Sequence, residues 1–524
     1  MAKLIFNSYQ RHVQVSGDHN VLVALQVYLN VEVANAFFRR KYAPGWNGKV
    51  NFYNNQSNIF SRGLLPHVVR WAKKNSLEYQ FKSNYLPLPP GIAYDDSLIG
   101  AELRDDQKES IQAWLANGGV GTIMAATGSG KTLVSTAIIK SLLQRKIIKR
   151  ALFVVPGLSV MKQTESEFKK HGLACGILGD DIIDINHAVV VAGIQALYLK
   201  ANKTHKDNTA IKKLLSEVNL VVFDECHHSK TKQIKTIIGH TRTAKYVLGL
   251  SGSPFQKYDP DDLQQMTAED VSVLSSVGPI VSVTKASALI EDGNLAKPLI
   301  YLYPIYCLCP IYCDEGSLRW QQSQQTFLYD NPDVHSNVVQ AVKQSALSGC
   351  SSLVIAGSRI GYAKLLDKII QDSGVTSVCL TGATSADDRE DVRQQVNQKL
   401  ASAVQNIVTT TIFDESADLP NLHLVVIASG GLSTIKTIQR VGRGLRKKSK
   451  GKNVVVIVDF IFYDNKYLAK HSLARLRQYI SEPSYEIKLI GQESDHSSTV
   501  RALLKDRVSY SPTLPQTSLY RSII

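Results

Sequence analysis

A glycine-rich loop in the first third of the chain has the composition of a phosphate-binding site. The segment Thr122–Thr132 reads as an apolar strand, a loop containing Gly128 and Gly130, and the start of a helix. Glycines let backbone N–H groups close around phosphate oxygens, Lys131 can reach the β and γ phosphates, and the Thr132 hydroxyl is a ligand for Mg²⁺. A chance glycine turn would not explain Gly-Lys-Thr directly after a strand, so the loop predicts a nucleoside triphosphate site.

Two adjacent carboxylates stand at the end of a later apolar strand. Asp224 and Glu225 directly follow Leu220–Phe223, and ligands of an open parallel sheet bind at the carboxyl ends of its strands. We expect Asp224 to lie beside Mg²⁺ and Glu225 to orient and polarise the attacking water. Acidic residues at a strand exit are common, but the upstream Lys131 loop favours the catalytic interpretation.

A third cluster is basic. Helical spacing places Gln439, Arg443 and Arg446 on one face, at positions i, i+4 and i+7. Two guanidiniums on one face can reach the γ-phosphate from across a cleft, as an arginine finger does. A solvated basic face is the alternative, but the cluster follows the other two motifs and a second group of strands, which favours the second half of an ATPase site.

These residues need a scaffold that brings strand ends together. From about Leu103 to Phe460, short apolar runs alternate with amphipathic stretches, a pattern typical of βαβ units in a parallel sheet. A proline-containing segment from about Gln256 to Asn337 separates two groups of runs, which favours two sheets over one. The predicted strands are Thr122–Ala125, Ala151–Val155, Ala188–Ala192, Leu220–Phe223, Tyr246–Leu250, Ser352–Ala356, Ser377–Leu380, Asn406–Thr410, Leu424–Ala428 and Asn453–Val458.

Length and charge bound the class of protein. A chain of 524 residues, 44% hydrophobic and 20% charged, has room for about three or four ordinary folded domains. A formal net charge of +15 favours polyanion partners, because neutralising phosphates releases counterions. The N-terminal residues lack the continuous apolar region of a secretory signal, and the longest apolar run, Leu299–Tyr312, is too short to cross a bilayer as a helix. We therefore expect neither secretion nor a membrane span.

The seven cysteines are mostly scattered, which favours a reducing compartment over a disulfide framework. Cys307, Cys309 and Cys313 form the exception, because a C-x-C-x3-C run can supply metal ligands. They lie in a β-rich stretch with no close fourth ligand, and we interpret them as buried strand cysteines rather than a zinc site.

As an ordered set, the motifs resemble those of the superfamily 2 helicases, over roughly Leu103 to Asp459. Ala125 replaces the first glycine of the phosphate-loop consensus, and Ala417 stands where the fifth motif usually has glycine. In chain order, the matching segments are Leu103–Gln107 (glutamine motif), Ala126–Thr132 (I), Val155–Gly157 (Ia), Ala192–Gln195 (Ib), Asp224–His227 (II, in a DECH form), Ser251–Ser253 (III), Ala356–Arg359 (IV), Thr409–Pro420 (V) and Gln439–Arg446 (VI).

This resemblance implies ATP and Mg²⁺ as cofactors and assigns roles to individual residues. Gln107 reads adenine, Arg443 and Arg446 act as arginine fingers, and Thr132 and Asp224 hold Mg²⁺. The further nucleotide-binding residues implied are Thr127, Gly128, Ser129, Gly130, Lys131, Asp418 and Gln439. The residues expected to couple hydrolysis to movement are His227, Ser251 and Ser253. The residues expected to grip a nucleic-acid backbone are Pro156, Gly157, Gly193, Gln195, Ser358, Arg359 and Thr411.

A narrower resemblance is to the phage recombination-repair helicases of the UvsW type. Pro44–Lys49 is similar to their aromatic–basic N-terminal pattern, and Ile290–Leu295 is similar to their link between lobes. The expected architecture is an α/β protein with two tandem RecA-like parallel-sheet domains, a small N-terminal α+β domain and a short C-terminal extension. The expected bounds are 1–95 for the accessory N-terminal domain, 96–283 for the first, ATP-binding helicase domain, 284–465 for the second and 466–524 for the extension.

The same resemblance implies DNA as the partner: duplex, forked or four-way junction DNA, gripped largely without regard to sequence. Fork regression or branch migration in replication, recombination or repair is the implied output, in the cytoplasm, and in that of a bacterial host if the chain is of phage origin. Arg40, Trp46 and Lys49, in a predicted hairpin with Asn47-Gly48 at its turn, are candidates for DNA contact, although such aromatic residues often pack a small core instead.

Three other functions remain open. A double-strand DNA translocase would use the same ATPase without separating strands. An RNA helicase is compatible with the Cys-His that follows Asp224 and Glu225. An ATP-gated binding module with a silent site is disfavoured by the intact Lys131, Asp224, Glu225 and Arg443.

Overall fold

The structure is a computed structural model. It describes residues 3–33, 36, 45–82, 100–179, 182–201, 208–230, 232–241, 243–306, 320–398, 404–410, 422–431, 452–463, 465–504 and 507–523. The chain forms two compact units that divide after Thr284, except that the loop residues Thr127–Ser129 group with the second unit. We call residues 3–82 the N-terminal domain, residues 100–284 lobe 1 and residues 285–523 lobe 2.

The N-terminal domain is built on a mixed sheet with strand order β5-β6-β2-β1-β7. The pair β1 and β7 is parallel, and the other pairs are antiparallel. Its first two strands alternate buried and exposed side chains, as expected for a sheet with one buried face. Its strands are β1 Lys3–Ser8, β2 His12–Gly17, β3 Asn30–Glu32, β4 Lys49–Asn51, β5 Tyr53–Asn54, β6 Ile59–Ser61 and β7 Glu78–Phe81, and its longer helices are α1 His19–Tyr28 and α2 Leu65–Lys74.

The predicted hairpin in this domain is only partly right. Gly48 has a left-handed backbone (φ 80°), and the Asn47 side chain accepts a hydrogen bond from the Lys49 amide at 3.0 Å, as in a turn. However, β4 pairs with β3, which ends at Glu32, rather than with a strand that ends at Asn47. The turn therefore leads into a strand whose partner lies well upstream.

Lobe 1 contains a sheet of strand order β11-β10-β12-β9-β13-β14-β8-β15, in which every described pair is parallel except β10 with β11. Its strands are β8 Val120–Ala125, β9 Ala151–Val155, β10 Gly176–Gly179, β11 Ile182–Ile183, β12 Val189–Gly193, β13 Leu220–Asp224, β14 Tyr246–Ser251 and β15 Ile280–Thr284. Its helices are α3 Asp105–Ala116, α4 Lys131–Gln144, α5 Leu158–Lys170, α6 Ile194–Ala201, α7 Asn208–Glu217, α8 Lys232–His240 and α9 Ala268–Val277.

Helices cover both faces of the lobe 1 sheet, so that two separate cores form. Every residue of β9 and β12 is buried, which explains their continuous apolar sequences.

Lobe 2 contains a second sheet, of order β18-β19-β17-β20-β21-β16-β22-β23, with all described pairs parallel. Its strands are β16 Lys297–Ile305, β17 Ser351–Ile355, β18 Ser377–Leu380, β19 Asn406–Thr409, β20 Leu422–Ile427, β21 Val454–Phe462, β22 Glu486–Ile490 and β23 Val508–Ser511. Its helices are α10 Ala286–Glu291, α11 Trp320–Gln324, α12 Pro332–Ala346, α13 Ile360–Asp372, α14 Ala386–Gln398, α15 Lys466–Ser481, α16 Ser498–Leu504 and α17 Thr517–Ile523, and a π-helical turn spans Gln325–Tyr329.

The fold class is confirmed, since all ten predicted strands are present, five in each sheet. The proline-containing segment nevertheless holds two strands that the sequence pattern did not predict. One of them, β16, includes Pro298 and Pro304 and lies between β21 and β22. The C-terminal extension supplies β22 and β23 to the lobe 2 sheet, and Tyr520 is buried in the core of that lobe. The extension is thus an integral part of lobe 2.

The N-terminal domain and lobe 1 share one hydrophobic core. Leu263, Met266, Val271 and Leu274, from α9 and the turn before it, belong to the same buried cluster as the N-terminal strands. Polar bonds join the two parts as well, because the His67 ring nitrogen Nε2 lies 3.0 Å from the carbonyl oxygen of Asp259. Among the described residues, no helix is long and apolar enough to cross a membrane.

Candidate ATPase and nucleic-acid site

The carboxyl edge of the lobe 1 sheet collects the predicted site residues of that lobe. The phosphate loop follows β8, Asp224 ends β13 and Ser251 ends β14, which lies between those two strands. The predicted backbone-gripping segments follow β9 and β12, the next strands along the same edge. Strand order therefore gives this edge two neighbouring halves, one suited to nucleotide and one suited to nucleic acid.

The phosphate loop has the backbone shape that anion binding needs. Gly128 and Gly130 both have left-handed backbones, with φ of 82° and 86°, which side-chain-bearing residues rarely adopt. Helix α4 starts at Lys131, so its N-terminal amides follow the loop directly. The Lys131 ammonium donates to the carbonyl oxygen of Ala125 at 3.1 Å, which keeps it folded over the base of the loop. Thr132 is half-buried in the first turn of the helix.

Gln107 packs against the loop from α3. Its side chain is buried, with Oε1 accepting a hydrogen bond from the Arg104 amide at 3.1 Å. Gly130 favours this arrangement through its left-handed backbone, and a Cβ atom at position 130 would displace the Gln107 amide. The Gln107 side chain therefore lies in direct contact with the phosphate loop.

Motif II has an unusual backbone. Glu225 has φ of 47°, a strained conformation for a non-glycine residue, and such strain concentrates at functional sites. The Asp224 carboxylate accepts a hydrogen bond from the Glu225 amide at 3.1 Å. This bond orients the Asp224 carboxylate, and the buried strand β13 places both residues at the sheet edge.

Glu225 is connected to the predicted coupling residues. The Ser251 hydroxyl donates to Glu225 Oε2 at 3.2 Å, and His227 Nδ1 lies 3.2 Å from that hydroxyl and 3.4 Å from Glu225 Oε2. The Ser251 hydroxyl oxygen also accepts a hydrogen bond from the Ser253 amide at 3.2 Å. Motifs II and III therefore form one hydrogen-bonded cluster centred on the carboxylate expected to act on water.

Cys226, between these residues in the chain, is a core side chain. The side chain is fully buried in the lobe 1 core, and burial, reinforced by the negative charges of Glu225 and Asp224, raises the pKa of its thiol. A neutral buried thiol behaves as a small apolar group. No group of three or more metal-ligating side chains occurs within the described part of the chain, and Cys307, Cys309 and Cys313 lie outside it.

The lobe 1 residues predicted to contact nucleic acid stand at helix starts. Gly157 is the N-cap of α5 and provides no side-chain cap, so the first amides of that helix suit a phosphate oxygen. Gln195 is exposed on the first turn of α6. No atom lies within 4 Å of a Cβ built on Gly193, so close packing does not explain this glycine. Pro156 is half-buried at the end of β9.

In lobe 2, Ser358 and Arg359 are exposed between β17 and α13. The Arg359 guanidinium carbon lies 5.1 Å from the centre of the Tyr329 ring, and its Nη1 donates to Gln325 Oε1. The sequence did not indicate Gln325 or Tyr329. They lie about thirty residues before Arg359, outside every motif, and only the tertiary fold brings them together.

Of the N-terminal candidates, Trp46 has contacts that stabilise the domain itself. The Trp46 indole N–H donates to the Lys49 carbonyl oxygen at 2.9 Å, and its ring packs against the N-terminal core, while Lys49 is exposed. Six other predicted site residues lie outside the described residues: Arg40, Thr411, Asp418, Gln439, Arg443 and Arg446.

Two family models match the chain. The model described as "Type III restriction enzyme, res subunit" matches residues 100–256, and the "Helicase conserved C-terminal domain" matches residues 337–448. The first match contains strands β8 to β14 of the first sheet, and the second contains strands β17 to β20 of the second sheet. The chain is an ATP-dependent DNA helicase of superfamily 2.

Curated relatives refine this class. The chain is 26% identical to the DNA 3'-5' translocase XPB2 of Sulfurisphaera tokodaii over 478 residues, covering 83% of this chain and 96% of the relative. It is 21% identical to the ATP-dependent DNA helicase uvsW of Enterobacteria phage T4 over 537 residues, covering 93% of this chain and 99% of the relative. Among superfamily 2 helicases, the chain resembles those of the UvsW type.

Solved structures share the fold. A Dbp5 variant from S. cerevisiae, bound to RNA and ADP with beryllium fluoride, matches with a TM-score of 0.54 and 14% identity, covering 80% of this chain and 100% of that chain. The helicase MrfA bound to DNA matches with a TM-score of 0.53 and 14% identity, covering 77% of this chain and 56% of that chain. At this identity the likeness concerns the fold alone.

Proposed function

We propose that the protein is an ATP-driven motor that acts on branched DNA, regressing forks or migrating junctions in replication, recombination or repair. The observation that carries this proposal is the extent of the match to the phage T4 helicase, which runs through almost the whole of both chains. The match therefore includes the N-terminal domain as well as the two sheets. The net charge of +15 suits a phosphate backbone as the partner.

ATP binding is assigned to the phosphate loop of lobe 1. The left-handed glycines and the amides at the start of α4 would surround phosphate oxygens, and Lys131 would leave the Ala125 carbonyl to reach the β and γ phosphates. The hydroxyl of Thr132 and the carboxylate of Asp224 are oxygen donors of the kind Mg²⁺ prefers, and both are only partly buried. Bound there, Mg²⁺ would neutralise developing phosphate charge.

Hydrolysis is assigned to Glu225, which would orient and polarise the attacking water. The hydrogen bond from the Ser251 hydroxyl orients its carboxylate, and such preorganisation favours proton transfer. Because His227 and Ser251 contact the same carboxylate oxygen, a change in the nucleotide would reach motif III through this cluster. Asp418, Gln439, Arg443 and Arg446 keep their proposed nucleotide-binding and arginine-finger roles.

Movement along DNA is assigned to the gripping residues of the two lobes. The amides at the start of α5, Gln195 on α6, and Ser358 and Arg359 before α13 would contact phosphates, and Thr411 is proposed to do so as well. Contacts of this kind position a motor without reading bases, so the motor should work on DNA of any sequence.

The proposal is tested by DNA-stimulated ATPase measured with single-stranded, linear duplex, forked and four-way-junction DNA. Forks and junctions should stimulate hydrolysis at lower DNA concentrations than linear duplex of equal length. Equal stimulation by linear and branched DNA would remove the branched-DNA assignment while leaving the helicase class intact.

A second function is a double-strand DNA translocase that never separates strands. The match to a relative named as a DNA 3'-5' translocase favours it, since that match covers 96% of the relative. A strand-displacement assay beside a triplex-displacement assay distinguishes the two. Triplex displacement without strand separation would support the translocase. Stronger ATPase stimulation by RNA than by DNA would contradict both.

A further inference from the structure

A π-helical turn in lobe 2 lies beside the exposed arginine of motif IV. The turn spans Gln325–Tyr329, and the Asp330 amide donates to the Gln325 carbonyl oxygen at 2.9 Å, the i to i+5 bond that defines a π-helix. Such turns are rare and occur frequently at functional sites. Here the turn presents the Gln325 amide and the Tyr329 ring to the same guanidinium, that of Arg359.

The two contacts fix the plane of the Arg359 side chain. The guanidinium lies over the Tyr329 ring at 5.1 Å, a cation–π arrangement. One of its N–H groups donates to Gln325 Oε1. Since Gln325 Nε2 donates to Asp330 Oδ1 at 2.6 Å, the amide is oriented with its oxygen toward the arginine.

The Tyr329 support rests on the lobe 2 core. The Tyr329 ring is buried and packs on the Tyr362 ring, with centroids 4.7 Å apart. The Tyr329 carbonyl oxygen lies 2.9 Å from His335 Nε2. Arg359 itself remains exposed, so a guanidinium with five donors keeps several for an incoming phosphate.

We propose that Gln325 and Tyr329 are positioning residues that hold the Arg359 guanidinium ready to bind a DNA phosphate. This inference rests on the proposed role of Arg359 in gripping DNA. Arginine side chains lose much rotamer freedom when they bind. Holding the guanidinium in its binding orientation in advance lowers that cost. The two residues therefore set the DNA affinity of lobe 2 without taking part in ATP chemistry.

The test measures DNA affinity by fluorescence anisotropy at several salt concentrations, together with the ATPase rate at saturating DNA. Gln325→Ala and Tyr329→Leu should each weaken DNA binding by about fivefold, with kcat unchanged. Tyr329→Phe keeps the ring face and should bind DNA like wild type. Gln321→Ala, an exposed position on the preceding helix α11, is the matched control and should change nothing.

A double-mutant cycle separates this inference from the proposed role of Arg359. Arg359→Ala should weaken DNA binding at least as much as Gln325→Ala. It should also reduce the slope of DNA affinity against salt concentration by the amount that corresponds to about one phosphate contact. Adding Gln325→Ala to Arg359→Ala should cause no further loss. An additive loss, or wild-type binding by Gln325→Ala while Arg359→Ala is weak, would overturn the positioning role alone. Wild-type binding by Arg359→Ala would overturn both.

Discussion

Glu225 combines three properties that are expected of a catalytic carboxylate. It follows a buried strand, it has a left-handed backbone, and its carboxylate accepts a hydrogen bond from Ser251. The strain costs about 1–3 kcal/mol and persists only where the surroundings enforce it. No other residue of motif II has a positive φ among the described positions, so the strain is specific to the residue assigned to water activation.

Glu225→Gln should trap ATP. The amide keeps the shape of the side chain but cannot take a proton from water, so we expect nucleotide affinity close to wild type and turnover reduced by at least about a hundredfold. Equilibrium binding of a fluorescent ATP analogue and steady-state ATPase rates measure the two quantities separately. Equally weak ATP binding by the variant would show that Glu225 holds nucleotide rather than activating water.

Arg443 lies outside the described residues, and its proposed role as an arginine finger is tested by substitution. Arg443→Ala should bind ATP nearly normally and lose most hydrolysis, since a finger acts chiefly on charge that develops in the transition state. Arg446→Ala should behave similarly, because helical spacing places it on the same face. Arg440→Ala, on another face, is the control and should be milder. A critical Arg440 with a dispensable Arg443 would contradict the predicted helical register.

At the scale of elements, a buried ion pair joins α15 to the central strand β21 of lobe 2. Arg475 Nε lies 2.8 Å from Asp459 Oδ2, and both side chains are at least 98% buried. The Tyr479 hydroxyl donates to the same carboxylate oxygen at 2.8 Å. The charge of Asp459 keeps the pKa of Arg475 raised despite the opposing effect of burial. Helix and strand are thus locked together at one point.

Arg475→Met should destabilise lobe 2 by about 3–5 kcal/mol, because it leaves the Asp459 carboxylate buried without its cation. Urea unfolding of the full chain, followed by circular dichroism, measures this loss. Arg477→Met, at an exposed position of the same helix, should change stability by less than about 0.5 kcal/mol. A similar small change in both variants would mean that the pair contributes little.

Strands with continuous apolar sequences could be predicted from the sequence. Features that depend on residues distant in the chain could not. Strands β9, β12 and β13 are buried on both faces, so their patterns alone indicated a parallel sheet. Strand β16 was missed because Pro298 and Pro304 read as breakers. Both prolines lie in the segment that pairs with β21, but just outside the segment Leu299–Leu302 that pairs with β22. Likewise, the phosphate loop and Asp224-Glu225 are local motifs, whereas the contact of Gln325 with Arg359 exists only in the folded lobe.

At the scale of the whole molecule, the N-terminal domain is built into lobe 1 rather than attached by a tether. A Cβ at Gly63 would overlap the carbonyl oxygen of Leu274, and the Arg62 guanidinium donates to the Lys245 carbonyl oxygen at 3.1 Å. Deleting the domain would expose Met266 and Leu274. Point substitutions such as Lys49→Ala are therefore the better test of DNA contact by this domain.

This interface should respond to pH through His67. Burial lowers the pKa of the His67 ring, and Arg70 acts in the same direction, while Asp259 opposes it. The unfolded chain therefore binds the proton more readily, so the stability contribution is complete above pH of about 6.5 and is lost as the pH falls below it. Urea unfolding at pH 7.5 and 5.5 should show a larger loss for wild type than for His67→Gln. Equal losses would exclude His67 as the cause.

The central claim is tested most directly by ATPase rates of the wild type and of Lys131→Ala, without nucleic acid and with linear and branched DNA. DNA should stimulate the wild type, and Lys131→Ala should lose more than about tenfold in rate, or ~1.4 kcal/mol, while still binding DNA. Lys140→Ala, which removes the same charge from the same helix α4, should retain DNA-stimulated hydrolysis. Hydrolysis that no DNA stimulates, or a Lys131→Ala rate within tenfold of wild type, would contradict the account.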